Sequence, residues 1–382
     1  MEITVRKADL LQELLLLQGA VERKTTIPIL AHILAEATPE GRLLLAATDL
    51  EVGLETGCAA TVKKSGACAL PARKLLDYVK LLPEALITLK QLENHWVGLR
   101  CARASTKIVG MSRENYPELA AFPPNGALSL PAGPLKSMIA KAGFAVATEE
   151  SRYTLNGALM VLKPESLTLV ATDGHRLAHI VQEGLKLEGV AGEVKALVPK
   201  KALGELASML ERAEDDAVIA FAQDDTHLYF RVPSGGSNAE GGQRQLSARK
   251  LSGQFPNYEA VLPKTQLKSV PLVREELMSS IARVAQFADE RTHAIRMRME
   301  PNKVVLTASS SDMGESEEEL EASYEGEPVV IGFNARYLVE FLQVVEEEGV
   351  LLEFKDESSA AQLRPAASDG AQYRYVVMPM RI

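Results

Sequence analysis

The stretch Asp173-Gly-His-Arg-Leu-Ala-His179 holds two histidines and a carboxylate, residue types that ligate zinc. Its spacing argues against that chemistry: no Glu stands beside the first His, and no third ligand is identifiable among the six histidines. On extended backbone His175, Leu177 and His179 share one face, which strand packing explains equally well. Asp49 and Asp173 follow matching strands, and paired carboxylates can serve acid–base or two-metal chemistry. Their simpler role is to fasten the loop that follows a strand. The run Glu315-Ser-Glu-Glu-Glu-Leu-Glu321 lacks the Gly and the spacing of a calcium loop and reads as a solvated strand or sheet edge. No G-x-S-x-G, catalytic Cys/His signature, dinucleotide fingerprint or Gly-Lys-Ser/Thr phosphate loop occurs. The expectation is a protein without catalysis, metal or cofactor. A magnesium-dependent nuclease resting on Asp49, Asp173 and the Glu315–Glu321 cluster is the competing enzyme reading.

The elements that carry these residues recur three times. Leu43-Leu-Leu-Ala-Ala-Thr-Asp49, Leu167-Thr-Leu-Val-Ala-Thr-Asp173 and Val304-Val-Leu-Thr-Ala-Ser-Ser310 are one strand in three copies. Upstream of each lies a helical run with apolar residues three and four apart, as in Leu10, Leu14, Leu17 and Val21, or Leu135, Ile139 and Ala142, or Leu277, Ile281 and Val284. Downstream, Pro71-Ala-Arg-Lys, Pro199-Lys-Lys-Ala and Asn334-Ala-Arg-Tyr each open a second helix, with Pro71 and Pro199 expected in its first turn. Tyr116-Pro117, Phe255-Pro256 and Met378-Pro379 close the copies. Such a period is too long for a solenoid, so each copy is a domain: residues 1–125, 126–266 and 267–382. The fold class is α+β, each domain two helices packed on antiparallel sheet. Ser234-Gly-Gly-Ser-Asn-Ala-Glu-Gly-Gly-Gln243 reads as a flexible surface loop inserted in the second copy.

No apolar run is long enough to cross a bilayer, and the first residues lack a secretion signal, so a cytoplasmic protein without membrane contact is expected. Cys58, Cys68 and Cys101 have no metal-ligand spacing and read as reduced structural thiols. A net charge of −9 disfavours a simple nucleic-acid binder, but the charge is uneven. The helical windows 6–24, 71–83, 131–152, 199–212, 274–291 and 334–348 carry 17 Lys+Arg against 16 Asp+Glu, whereas the remainder carries 25 against 35. Three similar domains on short linkers describe an arc, and two arcs joined end to end close a six-domain ring. Helices lining its hole would turn Lys and Arg towards phosphates and leave acidic sheets outside. A protein-binding scaffold that never touches DNA is the third reading.

Thr26-Ile-Pro-Ile-Leu30, Thr48-Asp-Leu-Glu51, Pro71-Ala-Arg-Lys74, Tyr153-Thr-Leu-Asn-Gly157, Ala171-Thr-Asp-Gly-His-Arg-Leu-Ala178, Phe255-Pro-Asn-Tyr258, Gly332-Phe-Asn334 and Tyr375-Val-Val-Met-Pro-Met-Arg381 occur in this order along the chain. In them the chain resembles, over essentially its whole length, the bacterial sliding clamp, the beta subunit of DNA polymerase III. The resemblance implies a head-to-tail homodimeric ring (the DNA clamp fold) that encircles double-stranded DNA without regard to sequence. Such a ring tethers the replicative polymerase as a non-catalytic processivity factor, and a clamp loader opens it. Partners of this family dock Gln-Leu-x-Leu-Phe-like peptides between the second and third domains. Carried over by motif, that pocket comprises Leu155, Thr172, Gly174, His175, Arg176, Leu177, Pro256 and Val261 on one side. Tyr337, Val376, Met378, Pro379, Met380 and Arg381 form the other, with His175 and Arg176 orienting the peptide. The resemblance further implies DNA contacts at Arg23, Lys24, Arg73, Lys200 and Lys201, and a dimer joint at Lys74, Tyr78, Leu82, Ile108, Gln286 and Phe287.

Overall fold

The computed structural model describes all residues except 23–24, 150–152, 235–241, 265–267, 368–369 and 382. Most of the inserted Gly/Ser loop therefore lies outside the described residues, as do Arg23 and Lys24.

Three copies of one element order follow the repeats. The first contains β1 (Glu2–Arg6), α1 (Lys7–Leu17), β2 (His32–Thr38), β3 (Arg42–Thr48), β4 (Val52–Ala59), β5 (Thr61–Lys64), β6 (Gly66–Pro71), α2 (Ala72–Leu81), β7 (Leu86–Gln91), β8 (Trp96–Cys101) and β9 (Ala104–Val109). The second contains β10 (Leu128–Pro131), α3 (Ala132–Ala142), β11 (Gly157–Lys163), β12 (Ser166–Thr172), β13 (Arg176–Glu183), β14 (Val194–Pro199), α4 (Lys200–Leu210), β15 (Val218–Gln223), β16 (His227–Pro233) and β17 (Gln243–Arg249). The third contains β18 (Lys268–Val273), α5 (Arg274–Val284), β19 (Ala294–Glu300), β20 (Lys303–Ser310), β21 (Gly314–Glu321), β22 (Val329–Asn334), α6 (Ala335–Val344), β23 (Gly349–Phe354), β24 (Ala361–Pro365) and β25 (Ala371–Val377).

All six helices form where expected, but they are shorter than the charge windows. The first stops at Leu17 rather than running to 24, and the third stops at Ala142, where Gly143 starts a single tight turn to Ala145. Pro71 and Pro199 are not in the first helical turn; each is the last residue of a strand, and Pro71 keeps an extended backbone (φ −61°, ψ 112°). The amphipathic spacing survives: Leu10, Leu14 and Leu17 are buried, as are Leu277, Ile281 and Val284.

Contacts divide the chain into two compact units. Unit 1 is residues 1–136, 187–189 and 201–250; unit 2 is residues 137–186, 190–200 and 251–382. In unit 1 one sheet runs β5-β1-β7-β8-β9 and an eight-stranded sheet runs β10-β15-β16-β17-β4-β3-β2-β6. The larger sheet joins two repeats through the antiparallel pair β17–β4, with Leu246 opposite Leu54 and Ser247 opposite Gly53. Tyr116 is buried against this sheet, and its hydroxyl donates to the carbonyl of Ala46 (3.1 Å). A fully buried ion pair runs from β17 to α1: Arg244 Nη2 lies 2.8 Å from Glu13 Oε1, and Thr56 on β4 donates its hydroxyl to Glu13 Oε2.

Unit 2 repeats the plan. Its eight-stranded sheet runs β14-β11-β12-β13-β25-β24-β23-β18, joined across repeats by β13–β25, with Leu177 opposite Val376 and Ala178 opposite Tyr375. A four-stranded sheet runs β21-β20-β19-β22. β9 in unit 1 and β21 in unit 2 each stand at a sheet edge. Cys58, Cys68 and Cys101 are free and buried, and burial pushes the Cys68 thiol up to about 11, so they pack as small apolar groups.

Candidate functional site: an apolar groove beside the Thr-Asp turn

β12 ends at Thr172, and the chain reverses through Asp173, Gly174 and His175 into β13. Asp173 Oδ1 accepts from the backbone N–H of His175 (2.9 Å) and of Arg176 (3.1 Å), while the Thr172 hydroxyl accepts from Gly174 N–H (3.0 Å). Gly174 has φ +90°, a conformation that glycine adopts without strain. The first repeat builds the same turn. Asp49 Oδ1 accepts from Glu51 and Val52 N–H (2.9 and 2.7 Å), and Thr48 accepts from Leu50 N–H (3.0 Å). There Leu50 takes the glycine's place at φ +77°. Both aspartates therefore fasten turns. Their second oxygens are also taken, Asp173 by Arg176 Nε (3.0 Å) and Asp49 by Lys201 Nζ. Among the described residues no three His, Cys, Asp or Glu side chains are grouped to hold a metal ion.

Beside the turn in unit 2 lies a cavity of about 240 Å³ lined by Leu155, Thr172, Gly174, His175, Arg176, Leu177, Pro256, Tyr258, Val261, Val376 and Met378. Its floor is a cluster of buried side chains from three adjacent strands and their neighbour: Leu159, Val161, Val170, Leu177 and Val376. They converge because Leu177 and Val376 are register partners and Val170 lies on the strand beside them. Phe255 and Tyr258 pack against the cluster, and Met378 N–H donates to the carbonyl of His175 (2.8 Å), holding the C-terminal segment against the turn. Met378 and Val261 are more than 40% exposed, so apolar surface is open to solvent at this groove.

Arg176 lines the groove and is held from within the protein. It is only 8% exposed, and its guanidinium donates to Asp173, Glu340, the Tyr375 hydroxyl (3.4 Å) and the Phe144 carbonyl (2.9 Å). The same group lies over the rings of Tyr337 (4.4 Å) and Phe144 (5.3 Å). Burial opposes its charge, but Tyr375 and Glu340 outweigh burial and raise its pKa above the ordinary value. With these donors engaged inside the protein, Arg176 braces the wall of the groove. His175 is exposed in the turn and is free to face one.

Ten of the fourteen groove residues carried over by motif line the cavity. Tyr337 stands behind it on Arg176, Met380 N–H donates to the Gly332 carbonyl (2.8 Å), and Pro379 and Arg381 flank Met380. Tyr258 is the lining residue that the motif transfer missed. The signal was present in Phe255-Pro-Asn-Tyr258, an aromatic two residues beyond a proline that itself lines the groove. His179 lies on the same strand face as Leu177, its ring 5.6 Å from that of Tyr258 and its buried Nδ1 unpartnered. Burial, helped by Arg374, pushes it down to about 4.

The remaining assigned residues are elsewhere. Arg73 and Lys74 are exposed on the first turn of α2, and Tyr78 is half-buried on the same helix. Lys200 is exposed; Lys201 is paired with Asp49. Gln286 is exposed and Phe287 half-buried in the turn after α5. Leu82 and Ile108 are at most 8% exposed, packed into their own unit, so they retain little surface for a partner. The neighbouring Leu81 is 85% exposed instead.

Three repeats of two helices on antiparallel sheet, joined by strand pairing and carrying an apolar groove with no catalytic group, define the three-domain clamp class of proteins. Three profiles of the DNA polymerase III beta subunit match in order: the N-terminal domain over residues 1–120, the central domain over 129–257 and the C-terminal domain over 259–381. The beta sliding clamps of Synechococcus elongatus and Escherichia coli K12 are each 31% identical over the full length of both chains. A crystal structure of the Bartonella birtlesii sliding clamp bound to griselimycin superposes with a TM-score of 0.91 at 30% identity, covering both chains completely. The chain belongs to the DNA polymerase III beta subunit family, the beta sliding clamps. It is a DNA sliding clamp, a non-catalytic processivity factor.

Proposed function

We propose that two copies of this chain close head to tail around duplex DNA and tether the replicative polymerase through the apolar groove. One observation carries the closure. Within the chain, successive repeats join by pairing one strand from each, β17 with β4 and β25 with β13. The strand equivalent to β17 and β25 in the first repeat is β9, and the strand equivalent to β4 and β13 in the third is β21. Both are sheet edges with one neighbour. A third junction of the same kind, made between copies, uses both edges. Carrying the internal registers across sets Thr106 opposite Ser316 and Lys107 opposite Glu315, a cation facing the acidic strand. Lys74, Tyr78, Gln286 and Phe287 flank this joint, with Leu81 as its exposed apolar contact.

The groove takes a partner's Gln-Leu-x-Leu-Phe-like segment: Leu177, Val376, Tyr258 and Met378 supply apolar area, and methionine adapts to different side chains. Polymerase, clamp loader and other proteins carrying such motifs share it in the cytoplasm. No helix among the described residues is long and apolar enough to cross a membrane. Arg73, Lys200 and Lys201 belong to the DNA-facing surface, with Lys201 weakened by its pairing to Asp49. Arg23 and Lys24 complete that set by motif. The working domains are residues 1–125, 126–266 and 267–382.

Closure is tested by solution mass and by lifetime on DNA. A dimer should persist on closed circular DNA and run off the same DNA once linearised. Lys107→Glu should weaken the dimer, and adding Glu315→Lys should restore it. Equal lifetimes on the two DNAs, or a double variant no better than the single one, would refute encirclement or the strand register respectively.

A further inference from the structure

Unit 1 contains a second cavity beside the place that the internal repeat makes equivalent to the groove of unit 2; the two linings share the counterparts Pro117 and Pro256, and Leu119 and Tyr258. It measures about 470 Å³ and lies over β2, β3 and β4 beside the Tyr116-Pro117 segment, as the first lies over β11, β12 and β13 beside Phe255-Pro256. The residues on and around its walls differ in chemistry from their counterparts in unit 2. Gly53 stands where Leu177 stands, Ser247 replaces Val376, Glu55 replaces His179, Gln245 replaces Arg374 and Glu36 replaces Val161. Leu119 occupies the space above Gly53, where an added Cβ would meet its side chain at 3.0 Å. The apolar end is thus plugged from within, and the open end is polar.

Three carboxylates, of Glu36, Glu55 and Glu118, line that open end together with Arg113 and Arg231. Arg231 is already committed. Its guanidinium lies 4.2 Å from the centre of the Phe122 ring and donates to Gln245 Oε1 (3.2 and 3.1 Å). Gln245, itself only 8% exposed, passes its amide N–H to Glu55 Oε2 (3.0 Å). This chain fixes the Glu55 carboxylate in place. Among the described residues none of the three carboxylates has a salt-bridge partner, and burial raises the pKa of Glu55, with Arg231 opposing only in part. A half-buried carboxylate held by a neutral amide is only partly compensated by a cation that is not in direct contact with it. Leu34, Leu44 and Ala46 add an apolar wall suited to the carbon stem of a long cationic side chain.

We propose that this second groove docks a partner segment in which an Arg or Lys follows an apolar residue, with the cation against Glu55 and its stem along Leu34 and Leu44. The proposal rests on the clamp reading and deepens it: each chain offers partners two grooves of opposite preference, one apolar and one cation-seeking.

Fluorescence anisotropy with the full-length dimer tests it, using a labelled Ala-Leu-Arg-Leu-Ala peptide, the same peptide with citrulline for arginine, and a Gln-Leu-x-Leu-Phe peptide. The basic peptide should bind and should not be displaced by the apolar one. Glu55→Gln should weaken it at least about tenfold, the loss of one hydrogen bond to a charged group, and citrulline should do the same. Glu118→Gln, at the exposed rim, should weaken it less and slightly reduce its sensitivity to salt. Affinity for the Gln-Leu-x-Leu-Phe peptide should not change in either variant. If the apolar peptide binds but the basic one does not, or binds Glu55→Gln equally, or is displaced by the apolar peptide, the second groove is overturned while the clamp reading stands. If neither peptide binds, the first groove fails as well.

Discussion

Arg244→Met should be among the most damaging single changes in unit 1. Arg244 and Glu13 are both fully buried, joined by contacts of 2.8 and 3.2 Å, and Thr56 also donates its hydroxyl to Glu13. Removing the guanidinium leaves a carboxylate in the interior without its direct ion-pair partner. Breaking a buried pair in this way costs about 3–5 kcal/mol, whereas replacing both partners by apolar groups of similar volume is close to neutral. At about 2–4 °C per kcal/mol for a unit of this size, Arg244→Met should lower the unfolding temperature by about 6–20 °C. Glu13→Leu combined with Arg244→Met should recover most of that loss, helped because Arg244 Nη1 has no partner even in the native protein. Calorimetric scans of the single and double variants, following the transition of unit 1, decide the matter. Should the double variant be as unstable as the single, the cost would lie in packing and the unpaired-charge argument would be wrong.

Leu50→Gly should stabilise unit 1 by about 0.5–1 kcal/mol, since relief of a left-handed leucine exceeds the entropy of a glycine; a lower denaturation midpoint would contradict the turn assignment. His179 is neutral in the folded chain down to about 4, while the unfolded chain takes up a proton near 6.5. Stability is therefore unaffected above 6.5 and is lost as pH falls from 6.5 to 4, by at most about 3 kcal/mol, and His179→Val should flatten that part of a denaturation-against-pH profile. Tyr258→Ala should weaken Gln-Leu-x-Leu-Phe peptide binding by about tenfold or more without changing the dimer. Deleting Met378 to Ile382 should do the same, because β25 ends at Val377 and stays intact.

Features set by local rules were legible before any coordinates. The Thr-Asp turns follow from two residues that hydrogen-bond their own backbone, and helix existence follows from spacings such as Leu10, Leu14 and Leu17. Helix ends were less legible, because Gly19 and Gly143 end an amphipathic pattern that apolar residues beyond them continue in the sequence. The partners of Arg176 could not be read from its motif: Tyr337 and Glu340 belong to the third repeat and meet it through the β13–β25 pairing, while Phe144 reaches it from the turn after α3. Leu82 and its neighbour Leu81 are identical in type, and only the packing of α2 decides which one is exposed.

The acidic edge strand also governs what the molecule avoids. β21 carries Glu315, Glu317, Glu318, Glu319 and Glu321, so two such strands brought side by side would crowd ten carboxylates. Two copies of β9 would likewise align lysine with lysine. In the proposed head-to-tail closure unlike ends attract and like ends repel, which would steer encounters towards polarity-respecting assembly and guard newly made subunits against clumping through their bare strands.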